Sequence, residues 1–198
     1  MKRRYTIIVY TENNFGLLNR ITIIFSRRRI NIESLTVSET ERKGVSRYTI
    51  VIDYEETNIQ KLIQQIRKII GVLVVFHNED EQVFFGQIAF FKVITTSFEE
   101  REKVMEIAHR HQAKIAFSSD DYIVIEKTGK EEDISTTLHL LEPHGVVEYC
   151  KSGRIAVVKD QHRYSKYAKN MEPEGWYSDE EFHENQVHEP RLNGKKSH

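Results

Sequence analysis

The feature that most constrains the fold is an order of predicted strands and helices that occurs twice along the chain. Residues 5–78 and residues 84–158 each predict strand, helix, strand, strand, helix, strand, because apolar residues recur at strand and then at helix spacing. The elements predicted in the first half are strand 5–11, helix 16–29, strand 33–40, strand 46–53, helix 57–70 and strand 72–78. Those predicted in the second half are strand 84–95, helix 98–111, strand 113–118, strand 121–127, helix 131–141 and strand 146–158.

This repeated order predicts an α+β chain of two tandem ferredoxin-like βαββαβ units. The first unit is placed at 1–79 and the second at 82–160, with a polar tail at 161–198. Each unit would form a four-stranded antiparallel sheet with two helices on one face. Because the other face and the edge strands then need cover, we expect dimerisation or docking on a partner.

The composition changes after about Gln161, where no period is sustained and aliphatic residues are few. Such a segment cannot form a core by itself. It nevertheless carries the aromatic residues Tyr164, Tyr167, Trp176, Tyr177 and Phe182. Two interpretations stay open for this tail: a disordered, solvated end, or a segment that orders on a partner surface through its aromatic rings.

The charge balance excludes recognition by a global electrostatic field. With 29 basic and 30 acidic residues the chain is nearly neutral, so nucleic acid or an anionic membrane would not be held by net charge. Apolar runs stop well short of the roughly 20 residues that a membrane span needs, and the basic start leads into an alternating strand rather than a signal sequence. We therefore expect a cytoplasmic protein. Its one cysteine, Cys150, excludes an internal disulfide.

A candidate binding site lies where the first predicted strand turns into the first predicted helix. Gly16 precedes the helix, so the unpaired N–H groups of the first turn could receive a carboxylate. Asn13 and Asn31 flank the two ends of this helix and add side-chain oxygens for an ammonium group. The alternative is that Gly16 only supplies a left-handed turn and that the two asparagines only cap and turn the chain.

The sequence shows no group of residues typical of catalysis or metal binding. We find no Gly-rich phosphate loop, no nucleophile with a paired base and no metal triad. His109 and His111 lie two residues apart on a predicted helix, so their rings point in different directions and cannot share one metal ion. The sequence therefore predicts a binding protein without a catalytic residue or a metal site.

Several stretches resemble the small regulatory subunits of acetohydroxyacid synthase (acetolactate synthase), which begin with an ACT domain. The similar stretches in the first half are Glu12-Asn13 with Gly16, Leu18 and Arg20, and residues 25–28, 31–37 and 46–51. Residues 127–130 and 145–156 resemble the C-terminal motifs of the same family. The resemblance covers roughly residues 1–160 and agrees with the fold predicted from periodicity.

The resemblance implies a regulatory subunit without an active site of its own. Such a subunit activates a catalytic large subunit that carries thiamine diphosphate, Mg²⁺ and FAD and converts two pyruvates to 2-acetolactate and CO₂. It also transmits feedback inhibition by valine, leucine or isoleucine in branched-chain amino acid biosynthesis, and it forms a homodimer. The residues that the resemblance assigns to effector binding are Asn13, Asn14, Phe15, Gly16, Leu18, Asn31, Ile32 and Thr36.

Two other function classes are weighed against this one. A free-standing ACT-type regulator that binds an amino acid and controls another protein or transcription is the alternative. The transcriptional version would need a helix-turn-helix or a basic arm, which the sequence does not show. An enzyme in its own right is disfavoured because no catalytic constellation is found.

Overall fold

The computed structural model describes residues 2–160, and its first unit comprises residues 2–79. The elements of this unit are β1 (Lys2–Glu12), α1 (Leu17–Arg27), β2 (Ser34–Glu39), β3 (Val45–Glu55), α2 (Glu56–Arg67) and β4 (Val72–Glu79). The strands form an antiparallel sheet in the order β2-β3-β1-β4. The tail predicted at 161–198 lies outside the described residues.

The core of the first unit lies between the sheet and one face of the two helices. Ile21 and Phe25 on α1, with Leu62 and Ile66 on α2, recur at helical spacing and are buried. They pack against alternate residues of β1, so the remaining side chains of β1 face the other side of the sheet. Burying one aliphatic side chain of this size stabilises the fold by about 1.5–3 kcal/mol relative to leaving it exposed.

Helix α1 ends two residues earlier than its apolar pattern predicts. Arg29 adopts a left-handed backbone with φ of 55°, and its N–H donates to the Ser26 carbonyl at 3.0 Å. The Ile30 N–H donates to the Phe25 carbonyl at 2.9 Å, and the side chains of Ile30 and Phe25 share the core. These two bonds and the apolar contact form a Schellman motif, which closes the helix at Arg27 and Arg28.

The second unit repeats the architecture. Its elements are β5 (Val83–Ile94), α3 (Phe98–Arg110), β6 (Lys114–Ser118), β7 (Tyr122–Gly129), α4 (Glu131–Leu141), β8 (Val146–Lys151) and β9 (Ile155–Val158). The main sheet order is β6-β7-β5-β8, which is the order of the first unit again. A second core lies under α3 and α4 and is separate from the first. The predicted α+β fold of two tandem βαββαβ units is thus confirmed for the described residues.

The continuous strand predicted at 146–158 is wrong, because the chain forms β8 and β9 with a break between them. Ala89 of β5 pairs with Lys151 of β8, whereas Gly86 pairs with Ile155 of β9. Two residues of β5 therefore oppose three residues, 152–154, on the other strand. This extra residue is a β-bulge, which bends the strand and releases Gly153 and Arg154 from regular pairing. The Ser152 N–H still donates to the Ile88 carbonyl at 2.8 Å.

The segment after the bulge covers the face of the first sheet that the helices leave open. Ile8, Tyr10, Val74 and Phe76 form a second apolar cluster on that face, and Val158 packs against it. The expected need for cover is therefore met in part by the chain itself.

Candidate functional site

The start of α1 presents an open helix N-terminus. Gly16 occupies the N-cap position with a left-handed backbone, φ 77°, and brings no capping side chain. The first helical bond runs from the Arg20 N–H to the Gly16 carbonyl at 3.0 Å, so the preceding N–H groups have no partner inside the helix. A Cβ placed on Gly16 would meet no atom within 4 Å. The Leu17 N–H donates to the Asn14 carbonyl at 3.4 Å, so the N–H groups that follow it in the first turn are the ones that an anionic group could approach.

Backbone hydrogen bonds fix the turn before α1 to two neighbouring loops. The Asn13 N–H donates to the Gly44 carbonyl and the Glu12 N–H to the Gly71 carbonyl, both at 2.8 Å. The Asn14 side-chain amide donates to the Glu12 carboxylate at 2.6 Å. The turn is thus held from both sides, and the Asn13 side chain is left exposed beside the helix start.

Exposed apolar side chains surround this helix start. Phe15 is fully exposed, Leu18 is 43% exposed and Ile70 is 85% exposed. The Arg20 guanidinium donates to the Ile70 carbonyl at 3.4 Å, which ties the loop before β4 to the first turns of α1. An apolar group brought to the first turn of α1 would find partners among these residues.

The other predicted site residues do not lie at the start of α1. Asn31 follows the end of α1, and its side-chain amide donates to the Glu33 carboxylate at 2.7 Å. Ile32 packs against the first core. Because the 11 residues of α1 rise about 16 Å, Asn31 and Ile32 lie at the opposite end of the helix from Asn13 and Gly16.

Thr36 lies at neither end of α1 but on β2, where it contacts Gly153 of the second unit. Its neighbour Leu35 packs against the first core, so Thr36 points to the opposite face of the sheet. There, a Cβ on Gly153 would lie 2.9 Å from the Leu35 carbonyl oxygen and 3.1 Å from the Ser34 hydroxyl, and it would overlap the Thr36 hydroxyl. Glycine is needed at position 153 because of this close approach. The contact joins the bulge of the second unit to β2 of the first.

Arg154 stabilises the same junction, which is the contact between the bulge at 152–154 and β2. Its role was not predicted from the sequence. Its N–H donates to the Ser34 hydroxyl at 2.7 Å, and its guanidinium donates to the Thr6 hydroxyl at 3.0 Å. The guanidinium also pairs with the Asp80 carboxylate at 2.6 Å and lies 3.7 Å from the centre of the Phe85 ring. The side chain of Arg154 is only 8% exposed. Because Arg154 is buried and its polar groups bond to residues of both units, it holds the two units in a fixed relative position.

Sequence reasoning missed this junction although one signal was present. A Ser-Gly pair inside an alternating strand is typical of a bulge or of a close backbone approach. The resemblance includes Lys151-Ser152-Gly153 in the stretch 145–156, and the periodicity places the same residues inside the continuous strand predicted at 146–158. The bulge itself depends on contact with β2, more than 100 residues earlier in the chain.

An ion pair beside the junction connects the start of α4 to β8. The Lys151 ammonium lies 2.7 Å from the Glu131 carboxylate. Its hydrogen bond and charge hold the pKa of Glu131 below the usual value. On the first unit, the Arg4 guanidinium similarly lowers the pKa of Asp53, with which it shares two hydrogen bonds.

Among the described residues, no group of three or more histidine, cysteine, aspartate or glutamate side chains could hold a metal ion. The helices within residues 2–160 are also too short or too polar to span a membrane.

Two family models match the chain, one on each unit. The model described as the AHAS small subunit-like ACT domain matches residues 7–74. The model described as the small subunit of acetolactate synthase matches residues 86–160. The two matches lie on either side of the connection between β4 and β5.

Individual relatives match across both units. The acetolactate synthase small subunit of Bacillus subtilis is 36% identical over 160 residues, covering 80% of this chain and 91% of its own. That of Mycolicibacterium smegmatis is 33% identical over 153 residues, covering 77% of this chain and 89% of its own. The crystal structure of the acetolactate synthase small subunit from Thermotoga maritima aligns with a TM-score of 0.74 and 25% identity, over 80% of this chain and 99% of that one.

Proposed function

The chain belongs to the family of acetolactate synthase small subunits, the regulatory subunits of that enzyme, and we propose that it activates the catalytic large subunit and confers feedback inhibition by a branched-chain amino acid. Membership of this family implies a catalytic large subunit as partner. The reaction, with its thiamine diphosphate, Mg²⁺ and FAD, would then take place on that partner. This chain would carry no cofactor, and the complex would work in the cytoplasm.

The observation that carries the proposed inhibition is the open N-terminus of α1. The uncapped N–H groups and the empty space over Gly16 suit the carboxylate of a free amino acid. The exposed side chains of Phe15, Leu18 and Ile70 suit an aliphatic side chain. Valine, leucine and isoleucine combine these two groups, so we take them as the candidate effectors.

The positions of Asn13 and Asn31 support a site shared between two copies of the chain. The helix between them rises about 16 Å, which is longer than one amino acid, so a single chain cannot offer both asparagines to one ligand. Strand β2 lies at the edge of its sheet and exposes Val37, so its outer backbone groups are available for pairing. Antiparallel pairing of two β2 strands about a two-fold axis would bring the start of one α1 towards the end of the other. We therefore propose a homodimer with an effector site between the subunits.

The test is reconstitution with the purified catalytic subunit of the same organism. The wild-type chain should raise the rate of 2-acetolactate formation, and at least one of valine, leucine and isoleucine should lower it again. A chain that leaves the rate of its catalytic subunit unchanged would contradict the proposed activation. The alternative, a free-standing amino-acid-binding regulator, would bind the effector by calorimetry without this activation.

The effector site is tested separately with Gly16→Asp and its neutral match Gly16→Asn. Both residues tolerate a left-handed backbone, so the pair differs mainly in charge. Gly16→Asp should abolish inhibition, because its carboxylate competes for the first-turn N–H groups and repels the ligand. Gly16→Asn should weaken binding less. Both variants should still activate the partner, and undiminished effector binding to Gly16→Asp would place the site elsewhere.

A further inference from the structure

A groove of about 500 Å³ runs between the open face of the first sheet and the end of β9. Its floor includes the rings of Tyr10 and Phe76, whose centres are 6.3 Å apart. Val157, 57% exposed, contributes an aliphatic wall. The two rings are only 5% and 6% exposed, so they line the floor of the groove while the aliphatic wall supplies most of its exposed apolar surface. An aromatic side chain can pack on such a surface.

The rim of this groove is mainly acidic. Glu39, Glu41 and Asp160 line it. The one basic side chain among the described lining residues, Arg47, donates to the Ala156 carbonyl. The carboxylates thus outnumber the guanidinium, and a cationic occupant is favoured.

The chain that continues beyond Asp160 has the matching chemistry. Residues 161–169 read Gln-His-Arg-Tyr-Ser-Lys-Tyr-Ala-Lys, with Arg163, Lys166 and Lys169 and no acidic residue. The segment also contains Tyr164 and Tyr167, and tyrosine is among the residues that most often anchor interfaces.

The last two described residues, Lys159 and Asp160, lie next to the groove. The Lys159 N–H donates to the Gln82 carbonyl at 3.0 Å, and its ammonium donates to the Glu81 carbonyl at 2.9 Å. Asp160 follows this anchor and lines the groove, so the described part of the chain ends at the groove. A short tether gives an effective concentration in the mM range, roughly, so weak contacts suffice to fill the groove.

We propose that residues 161–169 of the same chain occupy this groove, with Tyr164 and Tyr167 against its apolar floor and wall and the basic side chains beside Glu39 and Glu41. The tail then completes the cover of the first sheet that β9 begins. This role is independent of the effector site at α1.

Disulfide trapping in the full-length chain tests the proposal. Cys150→Ser removes the single native thiol, and Ser38→Cys in the groove is combined with Ser165→Cys in the tail. The matched control pairs Ser165→Cys with Ser26→Cys, an exposed position on α1 at the opposite face of the sheet. Under mild oxidation the groove pair should form an intramolecular disulfide at least tenfold faster than the control pair, as measured by non-reducing gels and peptide mass spectrometry.

Equal rates for the two pairs would overturn the proposal. Disulfides formed mainly between subunits would also overturn it, because the occupant would then be the tail of a second copy.

Charge reversal tests the basis of recognition in the same trapping assay. Glu41→Arg alone and Arg163→Glu alone should each slow the groove disulfide several-fold, and the two together should restore most of the rate. Replacing Tyr164 and Tyr167 by alanine should reduce the rate to that of the control pair. Insensitivity of the rate to all of these substitutions would show that the segment collides with the groove without docking in it.

Discussion

Gly153 lies directly against Thr36, with no room between the second unit and β2 for even one methyl group. Thr36 belongs to the strand that begins three residues after Asn31, where the proposed effector site has one of its ends. A displacement of β2 on effector binding must therefore displace the bulge at 152–154 as well. Close packing of this kind transmits small movements because packed surfaces do not deform freely.

The first prediction is that Gly153→Ala separates the bulge from β2. The new methyl group would lie 2.9 Å from the Leu35 carbonyl oxygen, and such overpacking costs about 1–3 kcal/mol. Urea unfolding should show this loss, and in the reconstituted enzyme the effector should inhibit less although it still binds. Gly86→Ala is the control, because its methyl group would meet only the Gly129 carbonyl at an ordinary 3.5 Å. Equal stability of the two variants would show that the contact at Gly153 is not tight in solution.

The second prediction concerns the buried pair of Arg154 and Asp80. Arg154→Met removes the guanidinium from a site where its side chain is 8% exposed and leaves the Asp80 carboxylate, 35% exposed, without its cation. We expect a loss of about 2–3 kcal/mol in the free energy of unfolding, somewhat below a fully buried pair. Arg110→Met, which breaks an exposed pair with Glu106, should cost about 0.5 kcal/mol or less.

A double-mutant cycle separates the pair from the packing of Arg154. Asp80→Asn combined with Arg154→Met should be less destabilising than the sum of the two single variants, because the second substitution removes the stranded charge. Strict additivity would mean that the two residues do not interact in solution.

The third prediction is a pH dependence at the start of α3. Ser97 and Glu100 form a capping box, and Glu100 accepts hydrogen bonds from the Thr96 N–H, the Thr96 hydroxyl and the Ser97 N–H. These bonds lower the pKa of Glu100 from its ordinary 4.5. A lowered pKa contributes stability above the unfolded-state value, and this contribution is lost as the pH falls below 4.5 and through the folded-state value.

Glu100→Gln should therefore be less stable than wild type near neutral pH, and the difference should shrink on acidification. Urea unfolding between pH 6 and about pH 3, the range in which carboxylates titrate, measures this. Glu99→Gln removes a charge from the same helical turn without touching the capping box and should not reproduce the pH dependence. Ser97→Ala, which removes the other half of the box, should cost about 1 kcal/mol.

The sequence predicted those parts of the fold that depend on local pattern. Helix α4 was predicted at 131–141 and lies at Glu131–Leu141, because its apolar spacing and acidic first turn both act locally. The early end of α1 was missed because a Schellman motif with arginine in the left-handed position gives no glycine signal. The bulge was missed because it depends on a contact with distant β2.

For the candidate site too, the sequence predicted which neighbouring residues group together but not which residues are separated in space by the fold. The residues from Asn13 to Leu18 are contiguous, so the sequence could group them at one helix start. Asn31 and Thr36 are close to them in sequence but not in space, because one is carried to the far end of α1 and the other to the opposite face of the sheet. Only the arrangement of the elements separates these residues.

The last prediction distinguishes a binding role of Thr36 from a packing role. Its hydroxyl is buried and makes no hydrogen bond within the described residues, so Thr36→Val removes an unsatisfied polar group while keeping the shape of the side chain. Because a buried hydroxyl without a partner is costly, the variant should be as stable as wild type or more stable by about 1 kcal/mol. Effector affinity should be unchanged, since the hydroxyl faces Gly153 and not α1.

Calorimetric titration of valine, leucine and isoleucine into wild type, Thr36→Val and Asn31→Ala measures this difference. Asn31→Ala should weaken binding by about 1–3 kcal/mol through loss of a polar contact. If Thr36→Val weakens binding as much as Asn31→Ala does, the hydroxyl must reach the ligand. Strand β2 would then have to rotate on effector binding, so that Thr36 faces α1 instead of Gly153. Unchanged affinity with unchanged inhibition would assign Thr36 to the packed contact with Gly153, through which the two units are coupled.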